Sequence, residues 1–383
     1  MRINSITGKL ISSISVKETV QSFRLWIIVP VIMFSAGVFQ IVKTIKNRKI
    51  KINLSGEKIM IKYGVIGSGW IAESFVEGAQ TIDGMQFAAM YSRTYEKGKE
   101  FAEKFGCDTV YTDLEKFAES DIDAVYIASP NSLHYSQSKL MLEKGKHVLC
   151  EKPITITPEE FEELFSLAQS KNLIYTEAIM MMFSPHKKLL KNALEKIGKI
   201  TTAHFDFSQL SSKYKALKNG ENPNIFNPEM KTGCLRDLGI YCYYPVVEFF
   251  GLPEKISAFA GFIETGADGY GTAVLDYPDK QITLTYSKIG QSYLGSQIFG
   301  DKGTITIESV SQLTGIKIHF ADGKTQSINE EVDKHILMAY EAEKFYNFIT
   351  DFEKNKEEYF YTNKKILEVN KLMFEVKNQC GII

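Results

Sequence analysis

The sequence predicts an α/β chain. A doubly wound parallel sheet comes first, followed by an α+β domain on a large, open, mostly antiparallel sheet. Three observations predict this. A short apolar run, Tyr63 to Ile66, leads into Gly67-x-Gly69-x-x-Ala72 and a helical segment, Ile71 to Gln80. Strand-like and helix-like stretches then alternate as far as Ala178. From Ile200 the pattern changes to short alternating strands separated by turns.

The glycine segment follows the order that a dinucleotide needs. The first glycine allows a sharp turn, and the second leaves no side chain between backbone and pyrophosphate. The small third position lets helix and strand pack closely, and the phosphates face free N–H groups at the helix start. Gly67, Ser68, Gly69, Trp70 and Ile71 are therefore candidate cofactor contacts. The second strand spans Met85 to Tyr91 and ends in Ser92-Arg93. An acidic residue here would accept the adenosine ribose hydroxyls of NAD. A serine and an arginine instead suit a 2′-phosphate, so the reading leans to NADP, with NAD still open. The competing reading makes Arg93 a solvated residue at a helix start.

Glu96 to Phe105 reads as a helix closed by Gly106, and Asp123 to Ala128 as a buried strand. Ser129, Pro130 and Asn131 end that strand at the ligand crevice of a parallel sheet. Asn131 is either a cofactor contact or a plain turn residue. His134 reads as packing or capping. After the helix Ser132 to Lys144 and the strand His147 to Cys150 come Glu151, Lys152 and Pro153. A lysine at that strand end points into the same crevice and costs desolvation unless it has a partner or a task. Thr157 to Glu160 reads as a capping box opening the next helix.

Strands are expected at Ile200–Phe207, Lys255–Ile263, Tyr270–Tyr277, Gln281–Ser287, Gly295–Phe299 and Thr304–Glu308. One face of this sheet is expected to pack on helices at Lys187–Ile197 and Asp237–Phe250. The polar loop Ser211 to Met230 is expected to shape a substrate pocket. Two apolar stripes, from Phe345 to Phe352 and from Ile366 to Val376, mark two closing helices.

Gly67-x-Gly69-x-x-Ala72, the Asn131 segment and Gly145-Lys-His-Val-Leu-Cys-Glu-Lys-Pro153 resemble the glucose-fructose oxidoreductase/inositol dehydrogenase/MocA family. Tyr175-Thr-Glu-Ala178 with Pro185 looks like the family's entry into its second domain. Gly233-Cys-Leu-Arg-Asp237-Leu-Gly239-Ile-Tyr241 looks like its second active-site segment. The tyrosine version is similar to the dihydrodiol and xylose dehydrogenase-like branch. The resemblance runs from about Met60 to the last residue. It implies a Rossmann domain at 60–178, and a substrate and dimerisation domain at 179–383. It also implies a homodimer, and a closing helix that returns to the first domain. Two departures, Met180-Met181-Met182-Phe183 and Cys234, put the substrate pocket rather than the cofactor site in question.

The resemblance implies a hydride transfer between nicotinamide and a hydroxyl or carbonyl group of a sugar, polyol or diol. Lys152 would polarise the substrate oxygen, Tyr241 would move the proton and Asp237 would orient substrate or Lys152. A neighbouring ammonium is expected to lower the Tyr241 pKa. If Gly233 to Glu248 is helical, Asp237 and Tyr241 lie one turn apart. The competing reading makes Tyr241 a core aromatic beside Tyr243, Tyr244, Phe249 and Phe250. The rival function is a nucleotide-binding sensor without turnover, which would be free to lose Lys152 and Tyr241.

Composition narrows the classes further. With Lys+Arg 45 against Asp+Glu 46, no basic face for nucleic acid stands out. Five scattered cysteines without a C-x-x-C pair fit a reducing, cytoplasmic compartment, and no motif predicts a metal site. Residues 1–59 carry an apolar run, Leu25 to Val42, followed by Lys43, Lys46, Arg48, Lys49 and Lys51. That run is long enough to span a bilayer with the rest of the chain cytoplasmic. The preferred expectation is different. Ser55 to Ile59 can be encoded by a ribosome-binding sequence, so translation is expected to start at Met60. N-terminal sequencing of the native protein that found earlier residues would end that expectation.

Overall fold

The computed structural model describes residues 59–383. The apolar run at 25–42 and the extension preceding Ile59 lie outside the described residues. Among the described residues no helix is long and apolar enough to cross a membrane.

Six parallel strands form the first sheet: β1 (Ile61–Ile66), β2 (Met85–Tyr91), β3 (Val110–Tyr111), β4 (Ala124–Ile127), β5 (His147–Glu151) and β6 (Tyr175–Ala178). Their order is β3-β2-β1-β4-β5-β6. The direction of winding reverses between β1 and β4, so the ligand crevice opens at their carboxyl ends. The linking helices are α1 (Trp70–Ala79), α2 (Tyr95–Lys104), α3 (Leu114–Glu119), α4 (Asn131–Glu143) and α5 (Pro158–Ser170). β4 is buried at every residue, because helices cover both faces. α1 is held on the sheet by Phe75, which stacks on Tyr126 of β4 with centroids 3.8 Å apart. Each such buried aromatic contributes about 1.5–3 kcal/mol. α5 opens with the expected capping box of Thr157 and Glu160.

Short helices α6 (Met180–Phe183) and α7 (His186–Leu194) lead to β7 (Ile200–Ser208). The 211–230 loop holds α8 (Tyr214–Lys218) and two 3-10 turns, and is followed by a π-turn at Leu235–Gly239 and α9 (Ile240–Phe250). The second sheet adds β8 (Lys255–Phe262), β9 (Asp268–Tyr277), β10 (Lys280–Ser287), β11 (Ser296–Gly300), β12 (Gly303–Ile307), β13 (Lys317–Phe320) and β14 (Thr325–Ser327). The eight strands run β14-β13-β12-β11-β7-β10-β9-β8. All neighbours are antiparallel except β7 and β10, which are parallel. Two long helices close the chain, α10 (Lys334–Thr350) and α11 (Phe352–Cys380).

Three expectations need correction, while the return of a closing helix to the first domain holds for both. The segment from Gly233 is not one uniform α-helix, because Leu235–Gly239 is wound as a π-turn. Asp268 caps that turn by accepting the Leu235 N–H at 2.6 Å. The sheet is covered by α9 and α11; α7 packs chiefly on α6. Met180–Phe183 and Cys234 are buried in the core and line no part of the crevice. Both closing helices return to the first domain, α10 onto α1 and α11 onto α5.

Candidate active site

The crevice between the two sheets has a volume of about 510 Å³. Its first wall comes from the carboxyl ends of β4 and β5 and the start of α1. Trp70, Ile71, Ser129, Asn131, Glu151 and Lys152 all line it. Gly67, Ser68, Gly69 and Pro130 adjoin these residues in sequence and are not themselves among those that line the crevice. Gly67 has φ +105°, and a Cβ there would lie 2.3 Å from the Ala128 carbonyl oxygen. A Cβ on Gly69 would meet nothing within 4 Å, so open space lies over the loop. A pyrophosphate fits that space. Ser92 and Arg93 stand at the end of the adjacent β2, outside the crevice wall.

The second wall comes from the second sheet. Since β7 and β10 are parallel, their carboxyl ends emerge together, with Ser208 opposite Ser287. They deliver Phe207, Gln209 and Lys288 to the crevice. The π-turn and α9 add Asp237 and Tyr241, and the long loop adds Ser211, Ser212 and Ile225.

The three candidate catalytic residues meet. Lys152 Nζ lies 3.0 Å from Asp237 Oδ1 and 5.0 Å from the centroid of the Tyr241 ring. Lys288, which the sequence reading missed, donates to Asp237 Oδ2 at 2.8 Å and to the Ile225 carbonyl at 3.0 Å. Its side chain is only 1% exposed. Asp237 is thus clamped between two ammonium groups, and Lys288 also ties the long loop to the site. Phe207 packs edge-on to Tyr241 at 5.5 Å.

These contacts fix the charges. Burial works against the Asp237 carboxylate, but Lys152 and Lys288 hold its pKa well below the usual carboxylate range. Burial also works against the Lys152 ammonium, yet Tyr241, Asp237 and Glu151 together carry its pKa above the ordinary lysine value. The expected lowering at Tyr241 is overturned. Lys152 does pull downward, but burial outweighs it and the phenol is pushed well up. At neutral pH the site therefore holds an ammonium, a neutral phenol and a carboxylate.

Other side chains serve as scaffold. Glu151 accepts from Tyr126 Oη at 2.6 Å and from the Lys152 backbone N–H at 3.2 Å. Asn131 donates its amide to the Lys231 carbonyl at 3.0 Å, which joins the first domain to the long loop. His134 is a buried packing residue but not a cap. Its ring nitrogens lie 2.8 Å from the Pro153 carbonyl oxygen and 2.9 Å from that of Ser129.

The model of the oxidoreductase family with an NAD-binding Rossmann fold (GFO/IDH/MocA) matches residues 61–179. The GFO/IDH/MocA C-terminal domain matches residues 188–306. This chain belongs to the GFO/IDH/MocA oxidoreductase family. It is an enzyme of that family by both halves, and the dihydrodiol branch named from the tyrosine motif is among its relatives. It is 39% identical over 325 residues to scyllo-inositol 2-dehydrogenase (NADP(+)) IolU of Bacillus subtilis, covering 85% of this chain and 98% of that one. It is 30% identical over 251 residues to trans-1,2-dihydrobenzene-1,2-diol dehydrogenase of Macaca fuscata fuscata, covering 63% of this chain and 73% of that one. Its fold is similar to KijD10, a 3-ketoreductase from Actinomadura kijaniata solved with NADP and TDP-benzene. The TM-score is 0.73 at 22% identity, covering 84% of this chain and 98% of that one.

Proposed function

We propose that the chain is an NADP-dependent dehydrogenase of a polyhydroxylated small molecule, with a cyclic polyol of the inositol kind as first candidate. The observation that carries this reading is the Lys152–Asp237–Tyr241 cluster, which faces the glycine loop across one crevice. The printed activity of the Bacillus subtilis relative supports the cyclic polyol and NADP. Ser92 and Arg93 at the end of β2 support the 2′-phosphate.

Bound NADP(H) supplies or takes the hydride. Lys152 donates a hydrogen bond to the substrate oxygen and stabilises negative charge that develops there. Asp237 holds Lys152 in place and keeps it charged. Tyr241 gives the proton to the oxygen during reduction and takes it back, from a deprotonated state, during oxidation. Because both Lys152 and Tyr241 hold their protons at neutral pH, carbonyl reduction starts from the resting form of the site, and oxidation speeds up as pH rises. The polar lining at Gln209, Ser211 and Ser212 suits the remaining hydroxyls of a polyol.

The proposal takes 60–178 and 179–383 as the two domains. It includes a homodimer through the uncovered face of the second sheet and a reducing, cytoplasmic setting, which five free thiols support.

The test follows nicotinamide absorbance with NADP and NAD against a panel of inositols, aldoses and diols, and their oxidised forms. Turnover is expected on a polyol with NADP, and Lys152→Ala should lower kcat by about 100- to 10,000-fold. Tight cofactor binding without turnover on any compound would overturn the polyol dehydrogenase reading, in favour of a sensor or of a substrate outside the panel.

A further inference from the structure

Three lysines face the crevice, and one has no ionic partner. Lys152 and Lys288 share Asp237. Lys334, the first residue of α10, makes no hydrogen bond or ion pair among the described residues. Its Nζ instead lies 4.3 Å from the centroid of the Trp70 ring. Trp70 opens α1 directly after the glycine loop and is 63% exposed.

The carboxylates around Lys334 are already committed. Glu151 is taken by Tyr126 and the Lys152 amide, and Asp237 by two lysines. Glu341, one helical stretch further along α10, has both oxygens buried without a partner, and burial pushes its pKa well up. Burial also pulls the Lys334 pKa down, against the upward pull of Glu151, Asp237 and Glu341, none of which forms an ion pair with it. A cation without an ion-pair partner that lines the crevice beside Trp70, directly after the glycine loop, suits the phosphate of a dinucleotide.

The position is fixed by packing. α10 lies on α1 so closely that a Cβ on Gly78 would sit 2.7 Å from both Ala339 N and the His335 carbonyl oxygen. That contact seats the start of α10 against the last turn of α1, and the Lys334 side chain reaches from there to the Trp70 ring. Trp70 then presents its ring face to the ammonium from below.

We propose that Lys334 is a cofactor clamp, which reaches from the closing helix to bind the nicotinamide-side phosphate of the pyrophosphate over Gly69 and Trp70. The nicotinamide side is specified because Lys334 lines the same crevice as Lys152, Asp237 and Tyr241. The clamp rests on the dinucleotide reading of the crevice. It makes α10 part of the cofactor site, although α10 lies far from the glycine motif in sequence.

The experiment is calorimetric titration of full-length wild type, Lys334→Met and Lys334→Arg with NADP and with 2′,5′-ADP. The second ligand keeps the 2′-phosphate and the adenosine 5′-phosphate but lacks the nicotinamide-side phosphate. Lys334→Met should weaken NADP by about tenfold or more, as loss of a charge-assisted bond implies. It should leave 2′,5′-ADP unchanged, and Lys334→Arg should restore most of the NADP affinity. Unchanged NADP affinity in Lys334→Met would overturn the clamp. Equal losses for both ligands would also overturn it, since the defect would then lie in the fold or the adenosine half. Wild type that binds neither ligand would remove the dinucleotide reading and the clamp with it.

Discussion

At Asp237 two lysines compete for one carboxylate, and that competition sets the state of the site. The Asp237 charge raises the pKa of Lys152 and also that of Tyr241. Asp237→Asn keeps the shape and removes the charge, so both pKa values must fall. Oxidation requires a deprotonated acceptor, which forms as pH rises through the pKa. Whichever of the two groups carries the proton, the rise of the oxidation rate with pH moves to lower pH in the variant. The expected kcat is also lower by about 10- to 100-fold, because Lys152 loses the anchor that aims it. A pH–rate profile for polyol oxidation checks this, and a profile that keeps its midpoint would show that the Asp237 charge does not reach the proton-carrying group. Stability should fall as well, because Lys288, whose side chain is almost fully buried, loses its counter-ion.

Elements differ in how far local sequence determines them. β1, β2, β4 and β5 were legible because each is an apolar run bounded by turn residues, and α5 because Thr157 and Glu160 announce its start. β3 has two residues, β14 is wholly exposed and α3 has one and a half turns, so none carries enough apolar pattern to stand out. Lys152 was legible because it stands at the carboxyl end of a parallel strand, and Asp237 and Tyr241 because their segment resembles the family's second active-site segment. Lys288 was not, because it reaches the site only through the pairing of β7 with β10, which are far apart in sequence. The direction of the Tyr241 pKa was misread because burial is a property of the assembled site. Lys334 was hidden for a related reason, since the docking of α10 on α1 is a long-range contact. Gly78 makes that docking testable. Alanine there gains about 1 kcal/mol of helix propensity. It meets backbone at 2.7 Å, which cannot rotate away. Overpacking of this kind costs about 1–3 kcal/mol. Gly78→Ala should therefore lower Tm by about 2–4 °C and weaken NADP more than 2′,5′-ADP, as α10 and Lys334 shift together. Thermal melting with the same titrations checks this; an unchanged Tm and NADP affinity would show that the helices can part without consequence.

On the scale of the whole molecule, the second sheet is covered on one side only among the described residues. Ala203 and Phe205 of β7, Ala273 and Leu275 of β9, and Ile282 and Leu284 of β10 are buried under the helices. The alternate residues face outward, and several are apolar. Phe259 is 73% exposed, Tyr270 50% and Val274 37%. Phe259 and Val274 lie on paired strands, with Phe259 opposite Thr272 and Val274 opposite Ser257, so they share a face with Tyr270. An apolar patch of this kind on a one-layer sheet is covered in most stable proteins. A second copy of the same face is the cover proposed for this chain. Charge placed at the centre of the patch should separate the copies. Phe259→Glu combined with Val274→Lys is expected to convert a dimer to a monomer in light scattering coupled to gel filtration. The crevice lies on the other side, where Tyr241 packs against Phe207. The monomer should therefore bind NADP as the wild type does. If the wild type is itself monomeric at micromolar concentration, the uncovered face is not a dimer interface. If the variant stays dimeric, the copies meet elsewhere.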